Sequence, residues 1–137
     1  MNPIWIPVTF VIVLAAWWGI SNERKRRSSL ATYWDDRSCS GRAWRRAFPS
    51  ASNDSIREFL YLVVDAFGFE RSRALHLSPS DTIFGLYRAA YPDATTPDAL
   101  ELETLRHSLE RRYGASRLVN LPGDLTFGDL FGRVAVA

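Results

Sequence analysis

The chain opens on an apolar run. It extends from Ile4 to Ile20, seventeen residues without a charge, interrupted only by Pro7, Thr9 and Gly19. As a helix the run would cover about 25 Å, near the short end for crossing a bilayer. Tryptophans stand near both ends, where aromatic rings prefer the headgroup level: Trp5, Trp17 and Trp18. The pattern predicts a transmembrane anchor over residues 1–21.

Basic residues follow the apolar run directly, at Arg24, Lys25, Arg26 and Arg27. By the positive-inside rule, this cluster predicts a single-pass protein of a bacterial inner membrane with its C-terminal domain in the cytoplasm. The four side chains are also candidates for contact with anionic lipid. A cleaved signal peptide is the competing reading, but no Lys or Arg precedes the run and no small-x-small cleavage site ends it. A helix buried in a larger complex is the third reading.

Residues 22–54 show no sustained hydrophobic period and are rich in Ser, Arg and Gly, which predicts a basic juxtamembrane linker. Residues 1–52 hold eight Lys and Arg against three Asp and Glu, whereas residues 53–137 hold nine against twelve. Tryptophans interleaved with arginines also suit nucleic acid, but the neighbouring anchor explains the same charges more simply. Trp34, Trp44 and Phe48 have the alternative of packing onto the following domain.

A clear helical period begins after the linker. Ser55 and Glu58 form a candidate capping box, and Gly68 is a natural helix stop. Between them the apolar residues recur at helical spacing and predict one buried stripe: Ile56, Phe59, Leu60, Val63, Val64 and Phe67.

Three further helices complete the predicted all-α domain over residues 55–137. A short one over 81–90 is capped by Ser80 or Asp81 and ends before Pro92. The next begins around Thr95, Thr96, Pro97 and Asp98, buries Leu102, Leu105, Leu109 and Tyr113, and ends at Gly114. The last begins at Thr126 with Asp129 and buries Leu130, Phe131 and Val134.

The segment from Asp98 to Gly114 resembles the modification-site helix of acyl carrier proteins. In that family an Asp-Ser-Leu triplet opens the helix, and its serine carries phosphopantetheine; here the triplet reads Asp98-Ala99-Leu100. Leu125 to Leu130 is similar to the opening of the family's final helix. The resemblance covers residues 55 to about 135 and implies an acyl-carrier-like helical bundle; a generic three- or four-helix bundle is the alternative. Residues 81–97 depart from the family by an insertion, which either covers the acyl groove or is plain structure.

Ala99 has no hydroxyl to form the phosphodiester, so the resemblance implies a scaffold without its cofactor. Carriers present acidic residues of this helix to their enzymes, which makes Glu101, Glu103 and Arg106 the candidate partner-binding residues here. The mixed charge predicts a different partner surface, or a solvated face. The hypothesis is a non-enzymatic, membrane-anchored protein-interaction module of unidentified partner. The alternatives are a carrier relative with a lost or mutated site and a small structural subunit of a membrane complex.

The remaining reactive residues predict no catalytic or metal site. Cys39 is the single cysteine and has no partner for an internal disulfide, while His76 and His107 lie far apart in sequence. This spacing predicts no metal site. A Cys39–His107 nucleophilic pair lacks a recognisable orienting group and oxyanion donors. We therefore predict neither enzymatic activity nor a cofactor.

Overall fold

A computed structural model describes residues 5–93, 99–114 and 124–136. Within these ranges the regular secondary structure is helical, apart from an isolated bridge between Thr82 and Thr126. The all-helical prediction is confirmed. The described ranges contain these elements in chain order: α1 Trp5–Asp35, α2 Gly41–Ala47, α3 Asn53–Ala66, the 3-10 helix Arg71–His76, α4 Ile83–Ala90, α5 Ala99–Tyr113, α6 Phe127–Phe131 and the π-helical turn Gly132–Val136.

The predicted transmembrane anchor is wrong. Among the residues that the structure describes, no helix is both long and apolar enough to cross a membrane. The apolar part of α1 runs from Trp5 to Ile20, which at 1.5 Å per residue covers about 24 Å, less than the ~30 Å hydrocarbon core. Polar residues begin at Ser21 in the same helix. The assignment to an inner membrane as a single-pass protein falls with the anchor.

The segment predicted as a basic linker, residues 22–54, is mostly helical. The second half of α1 and the whole of α2 lie within it. Trp34 and Trp44 are both buried in the core, and Phe48 packs against it. These three aromatic residues therefore pack onto the following domain, as the alternative interpretation of the linker predicts. Because both indoles are buried, they are not available to stack on nucleic-acid bases.

The core joins α3 to the helices on either side of it. All six predicted stripe residues are buried, five within α3 and Phe67 directly after its end, as the helical period predicts. Leu105 and Leu109 of α5 and Phe127, Leu130 and Phe131 of α6 complete the cluster from the other side. Trp44 sits at its centre, where its Nε1 donates to the backbone carbonyl of Leu77 at 2.7 Å. The second half of α1, through Trp34, is thus part of one head domain with the described residues between 41 and 136.

Side-chain caps fix where the helices begin. Ser52, and not Ser55, caps α3, because Ser55 donates its backbone N–H to the Ser52 hydroxyl. Thr82 caps α4 in place of the predicted Ser80 or Asp81. Thr126 caps α6 as predicted, at 3.0 Å from the Asp129 nitrogen. The predicted caps of α5, residues 95–98, lie outside the described residues.

The sequence predicts that Asp81 and Glu58 take part in helix caps, but both make tertiary contacts instead. Asp81 accepts from Arg37 at 2.5 Å and from the Ser78 backbone N–H at 2.7 Å, which ties the end of α1 to the loop before α4. Glu58 accepts from two nitrogens of Arg112, at 2.6 and 2.9 Å, and links α3 to α5. The Arg112 hydrogen bond is the main cause that lowers the pKa of Glu58. The exposed Glu58–Arg112 pair orients α3 and α5 more than it stabilises them.

Replacing Tyr33 by phenylalanine is expected to raise the free energy of unfolding by about 1 kcal/mol, because the buried Tyr33 hydroxyl has no hydrogen-bond partner in the part of the chain that the structure describes. Burial raises the pKa of Tyr33 to about 12, with Asp81 adding to the effect. Since the unfolded phenol ionises near pH 10, stability from this group is present below pH 10 and lost as the pH rises toward 12. Urea unfolding at pH 7 and pH 11 measures both effects. A destabilised Tyr33→Phe variant at pH 7 would contradict the assignment.

Candidate functional site

The first half of α1 exposes an apolar surface that we call the arm, defined as residues 8–20. Nine of its large hydrophobic side chains are exposed. At 100° per residue, these positions are distributed on all sides of the helix rather than along one stripe. They are Val8, Phe10, Val11, Ile12, Val13, Leu14, Trp17, Trp18 and Ile20. A helix that is apolar all round is normally buried by something around it.

The arm meets the head domain at its base, where a cavity of about 600 Å³ lies between α1 and the end of α4. Trp18, Lys25 and Arg26 line it from α1, and Tyr91 and Asp93 line it from the other side. The guanidinium of Arg26 lies over the Tyr91 ring, 5.4 Å from its centroid. These contacts fix the direction in which the arm leaves the head domain.

The basic cluster at Arg24, Lys25, Arg26 and Arg27, predicted to face lipid, is largely engaged in ion pairs. Lys25 lies 3.5 Å from Asp93, and Glu23 lies 3.6 Å from Arg26 and 2.9 Å from Arg27. The hydrogen bond from Arg27 is the main cause that lowers the pKa of Glu23. The cluster's charge is therefore partly balanced within the chain.

The three residues predicted to bind a partner on α5 do not share one surface. Glu101 is half-buried and accepts a hydrogen bond from the Tyr91 hydroxyl. Its second oxygen is buried and has no hydrogen-bond partner among the described residues. The hydrogen bond between Tyr91 and Glu101 is the main cause that raises the pKa of Tyr91 to about 12, and burial is the next cause. Glu103 and Arg106 are exposed, and Arg106 pairs with Glu110 at 3.5 Å.

The resemblance to carriers singles out three adjacent positions at the start of α5. Asp98 lies outside the described residues, and Ala99 is the first described residue of α5. Leu100 is 67% exposed, unusual for a leucine in a helix that packs on a core. At the other end, Gly114 takes a φ of +98°, a left-handed conformation that favours glycine and ends the helix.

The described residues carry no arrangement of nucleophile, base and orienting group. Cys39 is exposed beside α2, and His107 is absent from the residues lining the cavity there. His107 Nε2 lies 2.8 Å from Arg111, on the outer side of α5. Within the described ranges, no group of three or more His, Cys, Asp or Glu is placed to hold a metal ion.

Comparison of the chain with known protein families, with curated proteins and with solved structures finds no match.

Proposed function

We propose that the chain is a non-enzymatic protein-interaction module in which the head domain presents the arm to a protein partner. The observation that supports this proposal best is the exposure of nine large hydrophobic side chains on one helix. Contiguous apolar surfaces of this size mark interaction sites on soluble domains. Fully burying each such side chain contributes roughly 1.5–3 kcal/mol, which favours coverage of the arm by a partner.

The distribution of the apolar residues narrows the form of the partner. Because they lie on all sides of the arm, a single flat surface would leave half of them in water. A partner that offers a deep groove, or several helices around the arm, would cover them all. Ala15, Ala16 and Gly19 add small side chains that allow helices to approach closely.

We further propose that the scaffold derives from an acyl carrier that has lost its attachment serine. The end of α5 supports this, because the helix stops before Gly114, as the resemblance implies. The buried Trp34 and Trp44 depart from it, since they extend the core upstream of the carrier-like region. In this account Leu100 and Glu103 form a secondary docking surface, while Glu101 is reserved for its bond to Tyr91.

The proposal is tested by the apparent molecular mass of the tagged full chain, expressed at its natural level and released from cells under native conditions. We expect a discrete species larger than one chain, because the arm remains covered. A partner protein should be present in that species at a fixed ratio. If the protein has the apparent mass of one chain at micromolar concentration, the arm is uncovered and the proposal is contradicted.

A further inference from the structure

A second surface, separate from the arm, lies where α2 packs beside the start of α3. A cavity of about 250 Å³ opens there, with Arg45 of α2 and Arg57 of α3 among its lining residues. Its floor is apolar and comes from Trp44, Ile56 and Leu75. Two cations of different helices thus border one small cavity with an apolar floor.

Arg45 and Arg57 have no carboxylate partner among the described residues. Within the same ranges these basic residues do form ion pairs: Lys25, Arg26, Arg27, Arg37, Arg71, Arg106 and Arg112. Neither Arg45 nor Arg57 makes an ion pair within the described ranges, and both are exposed. Arg42 and Arg46 lie on the same outer face of α2, opposite the buried Trp44, and make none either. Asp54, at the start of α3, is exposed but is paired with none of the four.

We propose that this cavity binds a small phosphate monoester, with Arg45 and Arg57 holding the phosphate. A guanidinium donates two parallel hydrogen bonds to phosphate oxygens, so two arginines match a dianion in both charge and geometry. A monoester phosphate is largely dianionic above its second pKa near 6. Asn53 adds an amide at the rim, and the apolar floor accommodates a short organic group. The volume is below the ~300 Å³ typical of drug-sized ligands, which limits the ligand to a small molecule.

Cys39 provides a local reporter for this site. It is the single cysteine of the chain, it is exposed, and it lines the same cavity. A bound phosphate would cover the thiol and slow its reaction with a neutral reagent such as N-ethylmaleimide. Labelling of the full chain therefore reports occupancy of the cavity without any engineered probe.

The experiment measures the rate of Cys39 alkylation in the full chain against inorganic phosphate concentration, with potassium chloride at matched ionic strength. We expect saturable slowing of roughly fivefold or more with phosphate and none with chloride. In the Arg45→Gln/Arg57→Gln variant the half-saturating concentration should rise at least about tenfold. The control Arg24→Gln/Arg88→Gln removes the same charge from exposed sites outside the cavity and should keep the wild-type response.

Two results would overturn the proposal. The first is a response to phosphate in the wild-type chain that equals the response to chloride, and this comparison needs no variant to fold. The second is equal protection in the Arg45→Gln/Arg57→Gln variant. Methyl phosphate and dimethyl phosphate distinguish the two sources of the ligand. A site for a monoester should be protected more strongly by methyl phosphate, which is the dianion. Equal protection by dimethyl phosphate, a diester that resembles a lipid phosphate, would contradict the assignment.

Discussion

Replacing Trp44 by alanine is expected to lower the free energy of unfolding by about 3–5 kcal/mol, a large part of the total for a small domain. The Trp44 side chain is fully buried and contacts Phe48, Phe59 and Phe131, with ring centroids 5.7 to 6.1 Å apart. Its removal leaves a cavity among these rings and deprives the buried Leu77 carbonyl of its indole donor. Urea unfolding followed by circular dichroism measures the loss.

Trp17 provides the matched control, because it is the same residue type with 68% of its surface exposed on the arm. Trp17→Ala should change the free energy of unfolding by no more than about 0.5 kcal/mol. The comparison separates a tryptophan of the core from a tryptophan of the arm. Equal losses in the two variants would show that residues 22–54 are not part of the head domain, contrary to the fold described above.

Introducing glutamate at both Val11 and Val13 is expected to abolish the complex between the arm and its partner, a loss of at least about a hundredfold in affinity. Both side chains are more than 60% exposed in the free chain, so the head domain should unfold at the wild-type urea concentration. In the complex, each substitution removes an apolar contact and places a carboxylate where water is excluded. The apparent mass of the full chain in native extracts should fall to that of one chain.

The control for this variant adds the same two charges to the head domain, at the exposed positions Ala31 and Ser50. Ala31→Glu/Ser50→Glu should keep the wild-type apparent mass, because neither position is on the arm. If the control lowers the mass as much as Val11→Glu/Val13→Glu does, then net charge and not the arm determines the assembly.

The sequence predicts a helix and its buried residues best where all residues on one face of the helix have the same environment. The stripe of α3 follows from spacing alone, and Gly68 at its end takes the left-handed φ of +69° that a helix stop requires. The cap is one turn off, because Ser52 and Ser55 are both good capping residues and only the backbone geometry distinguishes them. Glu58, three residues after Ser55, completes the capping pattern but bonds instead to Arg112, 54 residues away.

The region before α3 is harder to read because its core contacts come from tertiary packing. α2 has seven residues, too few to display a period, and only Trp44 among them is buried. Trp34 is surrounded in sequence by polar and charged residues, and its burial depends on contacts such as that with Phe69. The arm is difficult to interpret for another reason, because an apolar run has the same sequence pattern whether lipid or protein covers it. The arginine-lined cavity gave no sequence signal, because Arg45 and Arg57 are brought together only by the packing of α2 on α3.

The most direct test of the arm's role is photo-crosslinking in cells, with a photoreactive amino acid at Val13 of the full chain and, as a control, at Arg88 of the head domain. We predict one abundant adduct between residue 13 and a single protein, absent for residue 88 and lost in the chain that also carries Val11→Glu. An adduct with lipid alone, or the same weak background from both positions, would contradict the proposal that a protein partner covers the arm.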